Sequence, residues 1–155
     1  MIQNVRVQAI RAGRVVYDHR ISNRVLNSGI TATVQLLGNA GGTPNIISVG
    51  TGTTPVNDGD VQLENEVLRN RVTRAYGLPS TAVYQLLILD TQANDFTLSE
   101  CGLWVGARGD YSTAAAGITD TTAVLFARAL IPPFPKTSAD TLVLTWEIPI
   151  VSVKS

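Results

Sequence analysis

Residues 141–151, TLVLTWEIPIV, alternate without a break. Leu142, Leu144, Trp146, Ile148 and Ile150 fall on one side, and Thr141, Val143, Thr145, Glu147 and Pro149 on the other. Period-two alternation means a β-strand with one buried face. A chain that contains one must also supply a sheet and a layer to cover it. Pro149 cannot donate to a ladder, which predicts that this strand lies at an edge near its end.

The rest of the chain follows the same rhythm. NVRVQAIRAGRVVYDHRI alternates, turns at Ala12-Gly13 and extends again, so a hairpin is expected over 3–21. IISVG reads as a short buried strand and TAVYQLLILD as an apolar one. FTLSECGLWVG alternates around a break at Gly102 that suggests a bulge. AVLFARALIPPF reads as a strand stopped by Pro132-Pro133. EVLRNRVTRAYG is expected to begin helical and become extended.

One segment departs from this rhythm. In NSGITATVQLLGN, Asn27 or Ser28 can cap a helix, Ile30, Val34 and Leu37 recur at i, i+4 and i+7, and Gly38 can end it. This predicts one short helix over 27–38 with one apolar face. The expected architecture is all-β: a single β-sandwich domain with an N-terminal hairpin at 3–21, the helix, and a sandwich over 45–151.

Composition excludes several classes. The 155 residues suit one domain, 45% are hydrophobic and 15% charged, and the net charge is zero. Arginines cluster at 6, 11, 14, 20 and 24, but acidic residues elsewhere offset them, so no nucleic-acid partner is expected. One cysteine, Cys101, rules out an internal disulfide, and with one histidine, His19, the chain lacks zinc ligands. The start carries no apolar signal region, and the longest apolar run, LLIL, is too short to span a bilayer. The expectation is a protein made in a cytoplasm, with no membrane insertion and no cofactor.

The chemically suggestive stretch is VGTGTTPVNDGDVQLENE, residues 49–66. A dinucleotide fingerprint fails because Pro55 stands where its third glycine belongs, and a P-loop fails for want of a lysine. Placing Gly59 at the EF-hand glycine puts Thr54 and Asn65 at ligand positions 1 and 12, where neither fits. What remains is a glycine turn using unusual backbone angles, followed by a polar Asn-Asp-Gly-Asp turn, with a loose cation site at Asp58 and Asp60 left open. Cys101 reads as a packing residue rather than the partner of His19. Carboxylate pairs drawn from Glu64, Glu66 and Glu100 would be needed for glycan hydrolysis. Trp104 and Trp146 read as core, with sugar stacking as the minority use.

Taken in order, these pieces resemble a class of tailed-bacteriophage structural proteins of the tail-fibre, tail-collar-fibre and baseplate type. The matching residues are Gly50, Thr51, Gly52, Pro55, Asp60, Leu63, Glu66, Arg69 and Val72, then Glu100, Gly102 and Leu103, then Ala127, Arg128, Pro133 and Lys136, and finally Trp146, Ile148 and Ile150. With the NSGITATVQLLG helix included, the resemblance covers the chain from about Asn27 to Ile150. ARGDYSTAAAGITDTTA is longer than the connection usual in that class. The chain ends at Ser155 without a fibre shaft, which favours a baseplate or fibre-attachment component over a complete receptor-binding fibre.

The resemblance implies a non-enzymatic virion protein that assembles as a homo-oligomer, in that class often a trimer, and with other tail proteins. It also implies structural roles for Gly50, Gly52, Pro55, Asp60, Glu66, Arg69, Glu100, Gly102, Arg128, Lys136 and Trp146. Glu100 is expected to hold a bulge or to pair with Arg128 or Arg69. The alternative is a carbohydrate- or receptor-binding module using Trp104, Tyr111 and the 111–122 loop, with host-surface glycan as its ligand.

Overall fold

The computed structural model describes residues 2–106 and 122–150. Nine strands and one helix follow in order: β1 (Ile2–Arg11), β2 (Arg14–Arg24), α1 (Asn27–Leu37), β3 (Ile46–Gly50), β4 (Glu66–Arg71), β5 (Arg74–Leu78), β6 (Thr81–Ile88), β7 (Phe96–Val105), β8 (Val124–Lys136) and β9 (Asp140–Pro149). They form two antiparallel sheets, one ordered β2-β1-β9-β6-β5 and the other β4-β3-β7-β8. This is the expected all-β architecture with an N-terminal hairpin and one short helix.

The hairpin turns where expected. Arg11 pairs with Arg14, and the two residues between them, Ala12 and Gly13, both have positive φ (49° and 74°). That geometry matches the right-handed twist of the strands it joins. The hairpin supplies two of the five strands of its sheet. Its outer strand also closes one side of the sandwich, where Tyr17 Oη donates to Pro132 O at 2.5 Å. On the opposite side only Val72 and Thr73 separate β4 in one sheet from β5 in the other.

Between the sheets lies the main core. It includes Val5 and Val7 of β1, Ile47 and Val49 of β3, Leu86 and Ile88 of β6, Cys101 and Leu103 of β7, and Leu142, Leu144 and Trp146 of β9. Inward positions alternate as the sequence predicts. Trp146 is fully buried, and its indole N–H donates to Gln3 Oε1 at 2.6 Å.

A second, smaller core lies on the far side of the four-stranded sheet. Leu26, Ile46, Leu63, Trp104 and Leu125 pack together there. The four-stranded sheet is therefore covered on both faces, which explains why every residue of β3 is buried.

Several expectations are corrected. Residues 66–71 are strand from the first residue, because they form a ladder with β3 that turns Leu68 and Asn70 inward. β9 is central rather than an edge. Pro149 is tolerated because it pairs with Thr81 two residues beyond the last β1 partner, Glu147. β8 does not stop at Pro132-Pro133. It is an edge strand of its sheet, and the pairing jumps from Glu100↔Leu130 to Leu98↔Phe134, so the prolines sit in the unpaired part of a bulge.

The helix differs most. It occupies 27–37, its N-cap is Leu26 with no side-chain cap bond, and its buried residues are Gly29 and Ala32. Ile30, Val34 and Leu37 are exposed. The cause is Gly29, where a Cβ would lie 2.2 Å from Phe126 O and 2.5 Å from Val25 Cγ1. The helix lies so close to β8 that only its small-residue side fits against the sheet. The left-handed residue after the helix is Asn39 (φ 58°), while Gly38 has φ −79°.

Candidate functional site

The segment from Thr51 to Asn65 crosses the outer face of the four-stranded sheet and is held there by side chains from that face. β7 alternates, so Cys101 and Leu103 enter the main core while Glu100, Gly102 and Trp104 point outward beneath this segment. β8 contributes Arg128, whose residue pairs with Gly102 in the ladder.

Glu100 is the hub. It is fully buried, and its carboxylate accepts three backbone N–H groups from the covering segment: Gly52 at 3.0 Å, Asn65 at 2.8 Å and Glu64 at 3.1 Å. The fourth donor is Arg128 Nε, at 2.9 Å. Arg128 Nη1 reaches Asp60 Oδ2 at 2.9 Å, and Nη2 faces Glu64 at 3.9 Å. Burial works against the guanidinium, but its bonds to Asp60 and Glu100 outweigh that and hold its pKa above the ordinary arginine value.

The acidic turn is built around the same ions. Asp60 Oδ2 also accepts the Asn57 N–H at 3.0 Å, and Asn57 Oδ1 accepts the Gly59 N–H at 2.9 Å. Glu64 accepts the N–H groups of Thr53 and Thr54 at 2.7 and 2.8 Å. These bonds hold its carboxyl below the usual range. Asp60, one of the two residues considered for a cation, instead accepts Arg128 Nη1 and so shares that guanidinium with Glu100. No cluster of three metal-ligating side chains occurs among the described residues.

The glycines serve proximity rather than unusual angles. Neither Gly50 nor Gly52 has positive φ. A Cβ on Gly52 would fall 2.4 Å from Glu100 Oε1, and one on Gly50 would fall 2.4 Å from Asn65 O. Gly102 is not a bulge residue; the ladder irregularities flank it. A Cβ there would meet Leu63 and Leu125 at 3.0 Å, so Gly102 is the seat on which Leu63 rests.

Arg69 does not reach Glu100. Its guanidinium forks onto Glu66 at 2.9 and 3.0 Å and lies 3.8 Å from the Trp104 ring centroid. The Trp104 indole donates to Ser48 Oγ at 2.7 Å. Lys136 stands apart from this cluster. Its buried ammonium donates to Asn94 Oδ1 at 2.7 Å, and burial lowers its pKa against the pull of Asp140 and Asp90. Pro55 is an exposed residue of the covering segment, and Trp146 belongs to the main core.

The cluster is poorly suited to catalysis. Glu100 has no solvent access, and its oxygens are occupied by four donors. Cys101 is buried, and burial pushes its thiol pKa up, away from the nucleophilic thiolate. His19 is exposed on the other sheet. Trp104 is only 2% exposed and cannot stack on a sugar. Tyr111 and nearly all of the 111–122 loop lie outside the described residues.

Sequence reasoning missed Asn65 and Ser99 as members of this cluster, whereas the expected Asn-Asp-Gly-Asp turn forms, with Asn57 Oδ1 accepting the Gly59 N–H. Ser99 Oγ donates to Gly52 O at 2.9 Å. Short polar residues in a loop carry no signal of which backbone group they will meet. Among the described residues, no helix is long and apolar enough to cross a membrane. Comparison of the chain with protein-family models, curated proteins and solved structures yields no match.

Proposed function

We propose that this chain is a non-enzymatic structural component of a bacteriophage tail, of the baseplate or fibre-attachment kind. It would act in the virion through homo-oligomerisation and contacts with other tail proteins. One observation carries the proposal. Gly50, Gly52, Asp60, Leu63, Glu100, Gly102 and Arg128, which carry much of the resemblance to that class and are scattered over some 80 residues, meet in one internal lock. Their shared use is to fasten a long loop to a sheet. That is a shape-holding task, suited to a protein whose work is to present a fixed surface to neighbours.

Size-exclusion chromatography with light scattering, paired with co-expression against the products of adjacent genes, tests the proposal. Self-association, or a stable complex with a tail component, is the expected outcome. A strict monomer at high concentration that binds none of those products would overturn it.

A further inference from the structure

Lys136 lies outside the loop lock, at the end of β8, and is only 1% exposed. A buried ammonium is costly unless a carboxylate pairs with it. Among the described residues Lys136 enters no ion pair. Its acceptors are neutral: Asn94 Oδ1 at 2.7 Å and Thr137 O at 3.4 Å. Burial lowers its pKa, and the charges of Asp140 and Asp90 oppose this only in part. The surroundings therefore favour the neutral amine, which is the nucleophilic form.

The amide facing this amine is held at both ends. Asn94 Nδ2 donates to Asp90 O at 2.6 Å, which turns the amide carbonyl toward Lys136. On either side of Asn94, Ala93 and Asp95 take positive φ, 51° and 66°, and the Asp95 N–H donates to Lys136 O at 2.9 Å. Left-handed backbone at two residues with a Cβ persists only where the surroundings enforce it. A lysine kept for stability alone would be better served by a carboxylate partner, or replaced by an apolar side chain. An amide partner permits one further step, a condensation that removes the buried charge outright.

We propose that Lys136 and Asn94 join in an intramolecular isopeptide bond. The Nζ lone pair attacks Asn94 Cγ, the Nζ–Cγ bond forms and the Cγ–Nδ2 bond breaks. A proton passes from Nζ to Nδ2, which departs as ammonia. No oxidant or second reactant enters the balance. Asp140 is occupied by Arg11 and Thr137, so Asp90 is the carboxylate left to carry the proton. The product ties the crossover between β6 and β7, which links the two sheets, to the end of β8. It stands independently of the tail-protein reading.

Intact-mass measurement and tryptic mapping of the full chain test the bond. Wild type should fall short of its sequence mass by one ammonia, whereas Lys136→Arg and Asn94→Ala should match theirs. In the map, the peptide containing Asn94 should be joined to the one containing Lys136, with no cleavage after Lys136. Asp90→Asn should couple about 100-fold more slowly, read by mass in a time course after synthesis. An unchanged rate would remove Asp90 as the proton carrier.

A wild type at its full sequence mass, with Lys136 cleaved normally by trypsin, overturns the proposal. So does an ammonia loss that persists in Lys136→Arg, because it reports cyclisation of an amide elsewhere. The wild-type mass and map decide the matter even where a variant does not fold.

Discussion

The Arg128 guanidinium donates to the Glu100 carboxylate at 2.9 Å with both side chains out of solvent, at 3% and 0% exposure. Neither ion could be buried alone, since an isolated charge in a protein interior costs several kcal/mol. Each is also bonded to the loop that covers it, Glu100 through three backbone N–H groups and Arg128 through Asp60. The pair therefore links folding of the sheet to placement of the loop.

Breaking the pair from one side should be severe. Arg128→Met leaves Glu100 buried with only neutral donors and is expected to cost about 3–5 kcal/mol. Asp60→Asn removes a partly exposed partner and should cost about 1 kcal/mol. Urea denaturation of the two variants checks the ordering. Equal losses would mean that the pair is not the hub.

Glycine replacements should divide by proximity. Gly52→Ala and Gly50→Ala push a methyl into Glu100 or the Asn65 carbonyl, each at 2.4 Å, and should destabilise by about 3 kcal/mol. Gly77→Ala in β5 meets nothing within 4 Å and has no positive φ, so it should be neutral or stabilise by about 0.5 kcal/mol. Thermal melts of the three variants decide.

The hairpin turn holds room for improvement. Ala12 sits at φ 49°, a left-handed conformation that costs a Cβ-bearing residue about 1 kcal/mol. Ala12→Asn, which creates the Asn-Gly turn suited to this geometry, should raise stability by about 0.5 kcal/mol. A lower melting temperature would contradict the assigned turn.

Acid should weaken one contact between the hairpin and β9. Bonds from Arg11 at 2.8 and 3.1 Å, reinforced by Thr137, hold the Asp140 pKa down at about 2. The folded value lies below the unfolded one. The contribution is therefore complete above about pH 5 and is lost as pH falls towards 2. Because Arg11 is half exposed, it amounts to about 1–2 kcal/mol. Asp140→Asn should lower stability at pH 7 and flatten its decline between pH 5 and 2. Chemical denaturation at several pH values reads both effects.

The helix should be fastened by its smallest residue. Gly29→Ala forces a methyl within 2.2 Å of Phe126 O and should detach α1 or cost about 3 kcal/mol or more. Ile30→Thr, on the exposed side, should change monomer stability by less than about 0.5 kcal/mol. Amide exchange of the helix distinguishes these cases.

Period-two alternation was enough to establish β9, the hairpin and the all-β class, and the i, i+4, i+7 recurrence the single helix, because burial of one face imposes such a pattern whatever the neighbours. The Ala12-Gly13 turn was legible for a similarly local reason. The partner of Glu100 was left between Arg128 and Arg69, since a carboxylate's sequence context does not reveal which cation is brought beside it.

What only the tertiary structure decided involves two layers at once. The sequence marked Ile30, Val34 and Leu37 as one apolar face of a helix, but a periodicity cannot say which side of a helix meets the sheet. Gly29 decides that, through a backbone contact with Phe126 from a strand almost 100 residues away. Gly50, Gly52 and Gly102 likewise suggested turns and a bulge, whereas their use is to let Asn65, Glu100 and Leu63 come close. Alternation and turn chemistry act between neighbours in the chain and can be read there. Close approach and charge pairing act across the fold, and only the assembled sheets bring their partners together.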